Sequence, residues 1–391
     1  MLKLDDYSIT KDRGFLTPYD MDEVDLPEIF ADIATTAMAL PQLIPTSRVR
    51  HFLGDVEEVD KQEFDGLSAA QRRLLMVHYS FAVQAYIWGE DMPATTLPRN
   101  LAVPYCYLAD LTGQFPLLPY ASYTLDNWAK IEPEGGVTLD NIYVIQNFLG
   151  GQDENWFILV HVEIEATAGR ALAAIPDLLV ATAEKDTAKV EARLGDILGA
   201  WRDINPIFDR MPERCDPHTY YRRVRPYIHG WKDNPALPDG LFYEGVDKYA
   251  GQGQLFRGQT GSQSSIVPTM DALLGVRHEA DEFRAYLDDL HEYRPPGHRK
   301  FIEDVAKASA LRDFVKESDN RDIKDLYNDI LDHVMNFRTR HLEYAASYIN
   351  KQARSAEGNP TEIGTGGTPF MAYLKKHRDE TERTKLAHRV A

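Results

Sequence analysis

The sequence predicts an all-α protein, on three observations. Apolar residues recur at steps of three and four along the long segments, strict apolar/polar alternation is scarce, and 43% hydrophobic with 27% charged residues is the composition of an ordinary globular chain. At 391 residues the chain can hold two units. Its proline-rich stretch "TLPRNLAVPYCYLADLTGQFPLLPYASYTLDNW" suggests a boundary near Gln114. We expect a small, mostly helical N-terminal domain over 1–114 and a large all-helical domain over 115–391.

The first sixty residues mix short apolar pieces with Pro and Asp and read as loops between short helices. "LSAAQRRLLMVHYSFAVQAYIW" is the first long helical pattern, with Ser68 as N-cap and an end near Gly89. The prolines that follow are expected to leave only short helices. Further helices are expected over 155–183 with a break at Pro176, over 189–209, 217–230 and 268–290, and over 324–350. The run "QARSAEGNPTEIGTGGTPF" has no apolar period, and we expect a mobile loop over about 352–367, leading into a last helix, "PFMAYLKKHRDETERTKL".

A formal net charge of -18 disfavours nucleic acid and anionic membrane as partners and leaves a small-molecule substrate as the better fit. The N-terminus carries no apolar run behind its charges, and about eighteen uninterrupted apolar residues occur nowhere, so we expect a cytoplasmic protein. Cys106 and Cys215 lie far apart without CxxC or CxxCH context. That excludes c-type haem attachment, an iron-sulfur cluster and a four-cysteine zinc site. HExxH, GxSxG and the P-loop spacing are absent.

Two histidines stand where helices should be apolar. His341 falls on the stripe Leu326, Ile330, Val334, Phe337, His341, Tyr344, Tyr348, and His161 lies in "WFILVHVEIEATAG". Either can be a core residue bonded to a neighbouring carbonyl or carboxylate, or an imidazole held in a dry pocket as a metal or haem ligand. The segment "QLFRGQTGSQSSIVPTMDALLG" sets Gly258, Gly261 and a series of hydroxyls and amides before a helix. It reads either as a well-capped polar loop or as a site for a carboxylate, propionate or phosphate. In "YYRRVRPYIHGW", Arg222, Arg223 and Arg225 form a solvated face, unless Arg225 points inward as a carboxylate clamp.

Taken in order, "YSITKDRGFL", "LPRNLAVPYCYL", "PYASYTLDNW", "RPYIHGWKDNPALPDGLFYEG", "GSQSSIVPTMDALLG", "RPPGHRKFI", "FRTRHLEYAASYI" and "GTGGTPFMAYLKKHRDET" span nearly the whole chain. Together they resemble the indoleamine 2,3-dioxygenase family, haem enzymes that open the indole ring of tryptophan. The resemblance implies haem b, ferrous in the active form, in the large helical domain, and His341 as the proximal ligand of its iron. It places Arg338 and Asp271 as a charged pair near the proximal side, and Gly258, Ser262 and Ser264 in the segment over the haem edge. Arg225 matches the arginine that grips the substrate carboxylate. Tyr120, Phe157 and Ile158 match the distal wall, Tyr220 stands where the animal enzymes have phenylalanine, and Thr365 with Gly366 matches the loop over the substrate.

His161 falls where the animal enzymes carry serine, whereas the related tryptophan 2,3-dioxygenases place a histidine on the distal side. The implied reaction inserts both atoms of O2 across the C2–C3 bond of L-tryptophan, or a related indoleamine, to give N-formylkynurenine, the first step of the kynurenine pathway. A cellular reductant would keep the iron ferrous. His161 is then a hydrogen-bond acceptor for the indole N–H and not a general base, because imidazole near neutral pH cannot cheaply remove so weakly acidic a proton. The alternatives are a haem protein that carries or senses O2 or another diatomic, which would have no use for a carboxylate clamp, and the oxidation of another indole or pyrrole in secondary metabolism.

Overall fold

The computed structural model describes residues 2–352, 361–366 and 369–387. Positions 353–360 and 367 of the expected mobile loop lie outside the described residues. Helices dominate what is described, and the strands are two small pairs: Trp128–Lys130 antiparallel to Ile142–Val144, and Thr96–Leu97 parallel to Phe242–Tyr243. The architecture is all-α, as the periodicity predicts.

Up to Phe64 the chain turns through short 3-10 and α segments. The helix Ala69–Trp88 starts at a capping box: Ser68 Oγ accepts the Gln71 N–H at 3.2 Å, and Gln71 Oε1 accepts the Ser68 N–H at 2.9 Å. From Leu74 onward it is buried almost all round, as expected of a helix apolar on every face. Its one interior amide is used: Gln84 Nε2 donates to the carbonyls of Tyr227 and His229, fixing the segment that carries Arg225.

Prolines interrupt less than the sequence suggests. Arg99–Thr112 runs unbroken through Pro104 to Gly113, whose φ of 64° terminates it. Gln152–Glu184 likewise passes through the expected break at Pro176. A proline forfeits one ladder bond, and here burial of Leu172, Ile175, Leu178 and Leu179 around it outweighs that loss. Conversely, the helix expected over 268–290 is two, Ile266–Leu274 and Glu282–His291, separated at Gly275 (φ 69°). The 217–230 segment is a short α turn, a π turn Tyr220–Val224 and a 3-10 turn Arg225–Ile228, because Pro226 cannot donate to a continuing ladder.

Three long helices position the site. Gln152–Glu184 folds back through Lys185 and the Asp186 cap onto Thr187–Asp209, and Arg321–Ala345 lies against that second helix. Phe370–Arg383 packs on the far side of Arg321–Ala345. Thr187–Asp209 therefore separates the helix of His161 from the helix of His341. Phe208, at its last turn, puts its ring 6.3 Å from His161 and 6.4 Å from His341. Beyond that turn the gap between the outer helices opens as a cavity. Tyr286, Phe370, Tyr373 and Leu374, of a satellite apolar cluster that also holds Leu290, line it. Among the described residues no helix is long and apolar enough to cross a membrane.

Candidate active site

Two adjoining cavities, of about 880 and 810 Å³, share His161, His341, Phe208, Gly261, Ser262, Tyr373 and Leu374 as common wall. Phe157, Tyr220, Tyr348, Gln259 and Thr365 complete the first; Tyr120, Glu165, Ser264, Asp271, Arg338 and His377 belong to the second.

His161 Nδ1 lies 2.7 Å from the carbonyl of Phe157, one turn back on its own helix. A carbonyl only accepts, so Nδ1 carries the proton and Nε2 is left as an acceptor. Nε2 faces Gly261, 3.9 Å from where a Cβ would stand. Burial pulls the His161 pKa below the ordinary value against the opposing effect of the Phe157 bond. His341 has no hydrogen-bond partner among the described residues, and its exposed part opens on both cavities. Burial, with the nearness of His161, lowers its pKa to about 4. Both rings are thus neutral at pH 7, the form in which imidazole binds a metal.

Three residues before His341, Arg338 makes a bidentate pair with Asp271, at 3.1 and 2.6 Å, and also donates to Thr381. Burial alone would raise the Asp271 carboxyl, but Arg338 and His278 together hold it well below the usual carboxylate range. The pair fastens the His341 helix to Ile266–Leu274 and to the last helix.

The Gly/Ser segment is held as a built wall. Buried Arg294 donates to the carbonyls of Ser264 at 3.2 Å and Ser262 at 2.8 Å, and Gln263 bridges the Tyr120 N–H to the Gly258 carbonyl. Gly258 is glycine because backbone atoms of Gly230, Ile228 and Thr365 crowd it to within 2.6 Å of a Cβ. Thr365 Oγ1 donates to the Gln259 carbonyl at 2.6 Å, and Arg257 donates to the Gly366 carbonyl at 2.6 Å.

Arg222 and Arg223 are exposed, while Arg225 is fully buried. Its Nη2 donates to the Ile363 carbonyl at 2.6 Å, and its guanidinium sits 5.6 Å from the Tyr221 ring. Burial lowers its pKa to about 10. Arg225 is not among the cavity-lining residues, though Tyr220 and Ile228 on either side of it are. Phe157 and Tyr220 meet ring to ring at 4.7 Å. Ile158 is core and Gly366 stands just behind Thr365, both outside the linings; Tyr120 faces the second cavity rather than the one Phe157 lines.

Glu165 was not singled out from the sequence. Glu165, one turn beyond His161, accepts from Tyr120 Oη at 2.9 Å and Ser264 Oγ at 2.7 Å on one oxygen, while the other is buried without a partner. Burial pushes its pKa up to about 7. The i, i+4 spacing from His161 was the available signal. Gln259 is buried with its side-chain oxygen unpaired, on the wall of the first cavity.

The donor set suits the haem that the resemblance implies. A neutral imidazole with no hydrogen-bond partner among the described residues lines the same space as a second neutral imidazole, with Phe208, Gly261, Tyr373 and Leu374 in the shared wall.

Fold and cavity together define an all-helical protein built around a pocket lined by two half-buried histidines. The family model described as indoleamine 2,3-dioxygenase matches residues 3–384. Indoleamine 2,3-dioxygenase 1 of Rattus norvegicus is 35% identical over 397 residues, covering 98% of this chain and 96% of the relative. Indoleamine 2,3-dioxygenase of Saccharomyces cerevisiae is 29% identical over 88% of this chain and 85% of its own. A protein named myoglobin from Haliotis madaka is 27% identical over 98% and 99%. The chain belongs to the indoleamine 2,3-dioxygenase family.

Proposed function

We propose that this protein is a haem-dependent dioxygenase that cleaves the indole C2–C3 bond of L-tryptophan, or a related indoleamine, with O2 to give N-formylkynurenine. Full-length membership of the family supports the reaction class. The observation that carries the reading to the site is His341: a neutral imidazole with no hydrogen-bond partner among the described residues, opening on a cavity opposite a second imidazole. The haem, when bound, supplies the activation of O2 and the transfer of its atoms to the substrate.

The chain supplies the rest. His341 holds the iron, and the Arg338–Asp271 pair fixes the helix that presents it. Ser262 and Ser264, on backbone braced by Arg294, would border the haem, with Gly258 allowing the close approach of neighbouring backbone. Phe157 and Tyr220 offer flat apolar surface to an indole, with Tyr120 and Ile158 supporting the distal side. His161 Nε2 accepts the indole N–H and takes no proton. Arg225 meets the substrate carboxylate by exchanging the Ile363 carbonyl for it, beside Thr365 and Gly366. Catalysis by the protein is thus positioning in a site cleared of water. The other partners are O2 and a cellular reductant, the location cytoplasmic, and residues 1–114 form the smaller unit beside the haem domain.

A second reading, a haem protein that carries O2, is favoured by one observation, the near full-length match to a protein named myoglobin. Mixing the reduced, haem-loaded protein with L-tryptophan and O2 and identifying the product by mass separates the two. N-formylkynurenine supports the enzyme, and unchanged tryptophan beside a lasting O2 complex supports the carrier.

A further inference from the structure

We propose that His278, His377 and Glu380 form a binding site for a divalent cation of the zinc class, beside the His341 pocket, whose second cavity His377 also borders. The inference is independent of the reaction assigned above. Among the described residues this is the one group of three His, Cys, Asp or Glu side chains close enough to share an ion, each offering a ligand atom within 4.8 Å of the others.

His377 and Glu380 are three apart on Phe370–Arg383 and so share a face. His278 comes in from the segment after Gly275, its ring centroid 4.5 Å from that of His377. His278 Nδ1 lies 2.5 Å from Glu380 Oε2, and His377 Nε2 is 3.9 Å from the same oxygen, too far for a hydrogen bond. A second observation points to a ligand. His377 is only 3% exposed, yet its Nε2 is buried with no partner. A buried nitrogen left unpaired is costly, and an ion between it and Glu380 would satisfy it. Burial first, then His278 and Arg338, lower the His377 pKa to about 3, so the ring is neutral, the form of imidazole that can ligate a cation.

The outer contacts are those that zinc-bound histidines use. His278 reaches Asp271 through Nε2 at 3.2 Å, and Arg338 holds Asp271 from the other side. A carboxylate on the far nitrogen orients a ligating ring and raises its basicity. Lys376 takes Glu380 Oε1 at 2.5 Å and leaves Oε2 to the site. Tetrahedral zinc sets N and O donors about 3.3 Å apart, so His377 and Glu380 close slightly while His278 and Glu380 part. On binding, the proton shared by His278 Nδ1 and Glu380 leaves to solvent, and water takes the fourth position. Arg338 and Lys376 repel a cation and keep the affinity moderate. The ion would tie the last helix to the 276–281 segment and, through Asp271–Arg338, to the helix of His341.

The test uses the full-length, haem-loaded protein, stripped with chelator and equilibrated with Zn2+ alone. Wild type should retain one zinc per chain by elemental analysis, in addition to its iron. His377→Ala and Glu380→Gln should each weaken retention about tenfold or more. Zinc-edge X-ray absorption on the wild type should show two imidazole nitrogens and oxygen at about 2.0–2.1 Å. The proposal is overturned if wild type retains no zinc at tens of micromolar, if both variants retain it undiminished, or if the absorption spectrum shows fewer than two imidazoles. The wild-type measurements decide even if a variant fails to fold.

Discussion

Arg338→Leu probes how the ligand helix is held. The guanidinium is 7% exposed and bonded to both oxygens of Asp271, at 3.1 and 2.6 Å. Removing it leaves a buried carboxylate with His278 as its remaining charged neighbour. Breaking a buried ion pair from one side costs about 3–5 kcal/mol, which lowers the folded-to-unfolded ratio roughly two hundred- to several thousand-fold. Arg338→Leu/Asp271→Leu removes both charges together and should cost less than Arg338→Leu alone, because no charge is left stranded. Urea unfolding of the haem-free chain, with circular dichroism and tryptophan fluorescence required to coincide, measures the cost of Arg338→Leu, of Asp271→Leu and of the double variant. A cost below about 1 kcal/mol for Arg338→Leu, or a double variant as costly as the sum of the singles, would refute this reasoning.

His341→Ala should fold and lose most of its haem; unchanged haem content and visible spectrum would remove it as the ligand. His161→Ser should keep measurable turnover while changing tolerance for 1-methyltryptophan, and a wild type that uses both substrates equally has no bond to the indole N–H. Arg225→Leu should keep haem and the O2 complex but lose about 2–5 kcal/mol of tryptophan use, roughly thirty-fold to several thousand-fold, with little effect on tryptamine. Equal loss on both substrates, or none, would make Arg225 structural. Glu165 has a folded pKa of about 7 against an ordinary 4.5. It therefore favours the fold fully below the lower value and loses that contribution as pH rises through the higher one, up to about 3 kcal/mol. Glu165→Gln should flatten that part of the stability profile between pH 5 and pH 8, and an unchanged profile would show that the carboxyl does not titrate there.

Periodicity and end signals made much of the fold readable. Ser68 caps a helix, Gly89 ends it, and the stripe through His341 is a helix face. Prolines misled because their cost is local, whereas the burial that offsets it at Pro104 and Pro176 comes from residues distant in sequence. The reverse happened at Gly275, where a positive φ ends a helix although the apolar pattern of the sequence continues. At the site, residues that break a local rule stood out: histidines in apolar runs, and glycine with serine before a helix. Glu165 did not, since an acidic residue inside a long helix usually faces solvent, and only the fold brings Tyr120 and Ser264 to it. His278 and Glu380 are 102 residues apart, so no spacing motif could join them.

Isotopic oxygen tests most directly whether this pocket places both atoms of O2 on the indole ring. Reduced, haem-loaded protein is mixed with L-tryptophan under 18O2 and the products are weighed by mass spectrometry. The expected product is N-formylkynurenine carrying two 18O atoms, formed over many turnovers per haem. Unlabelled or singly labelled product at early times, or intact tryptophan beside a stable O2 complex, would contradict it.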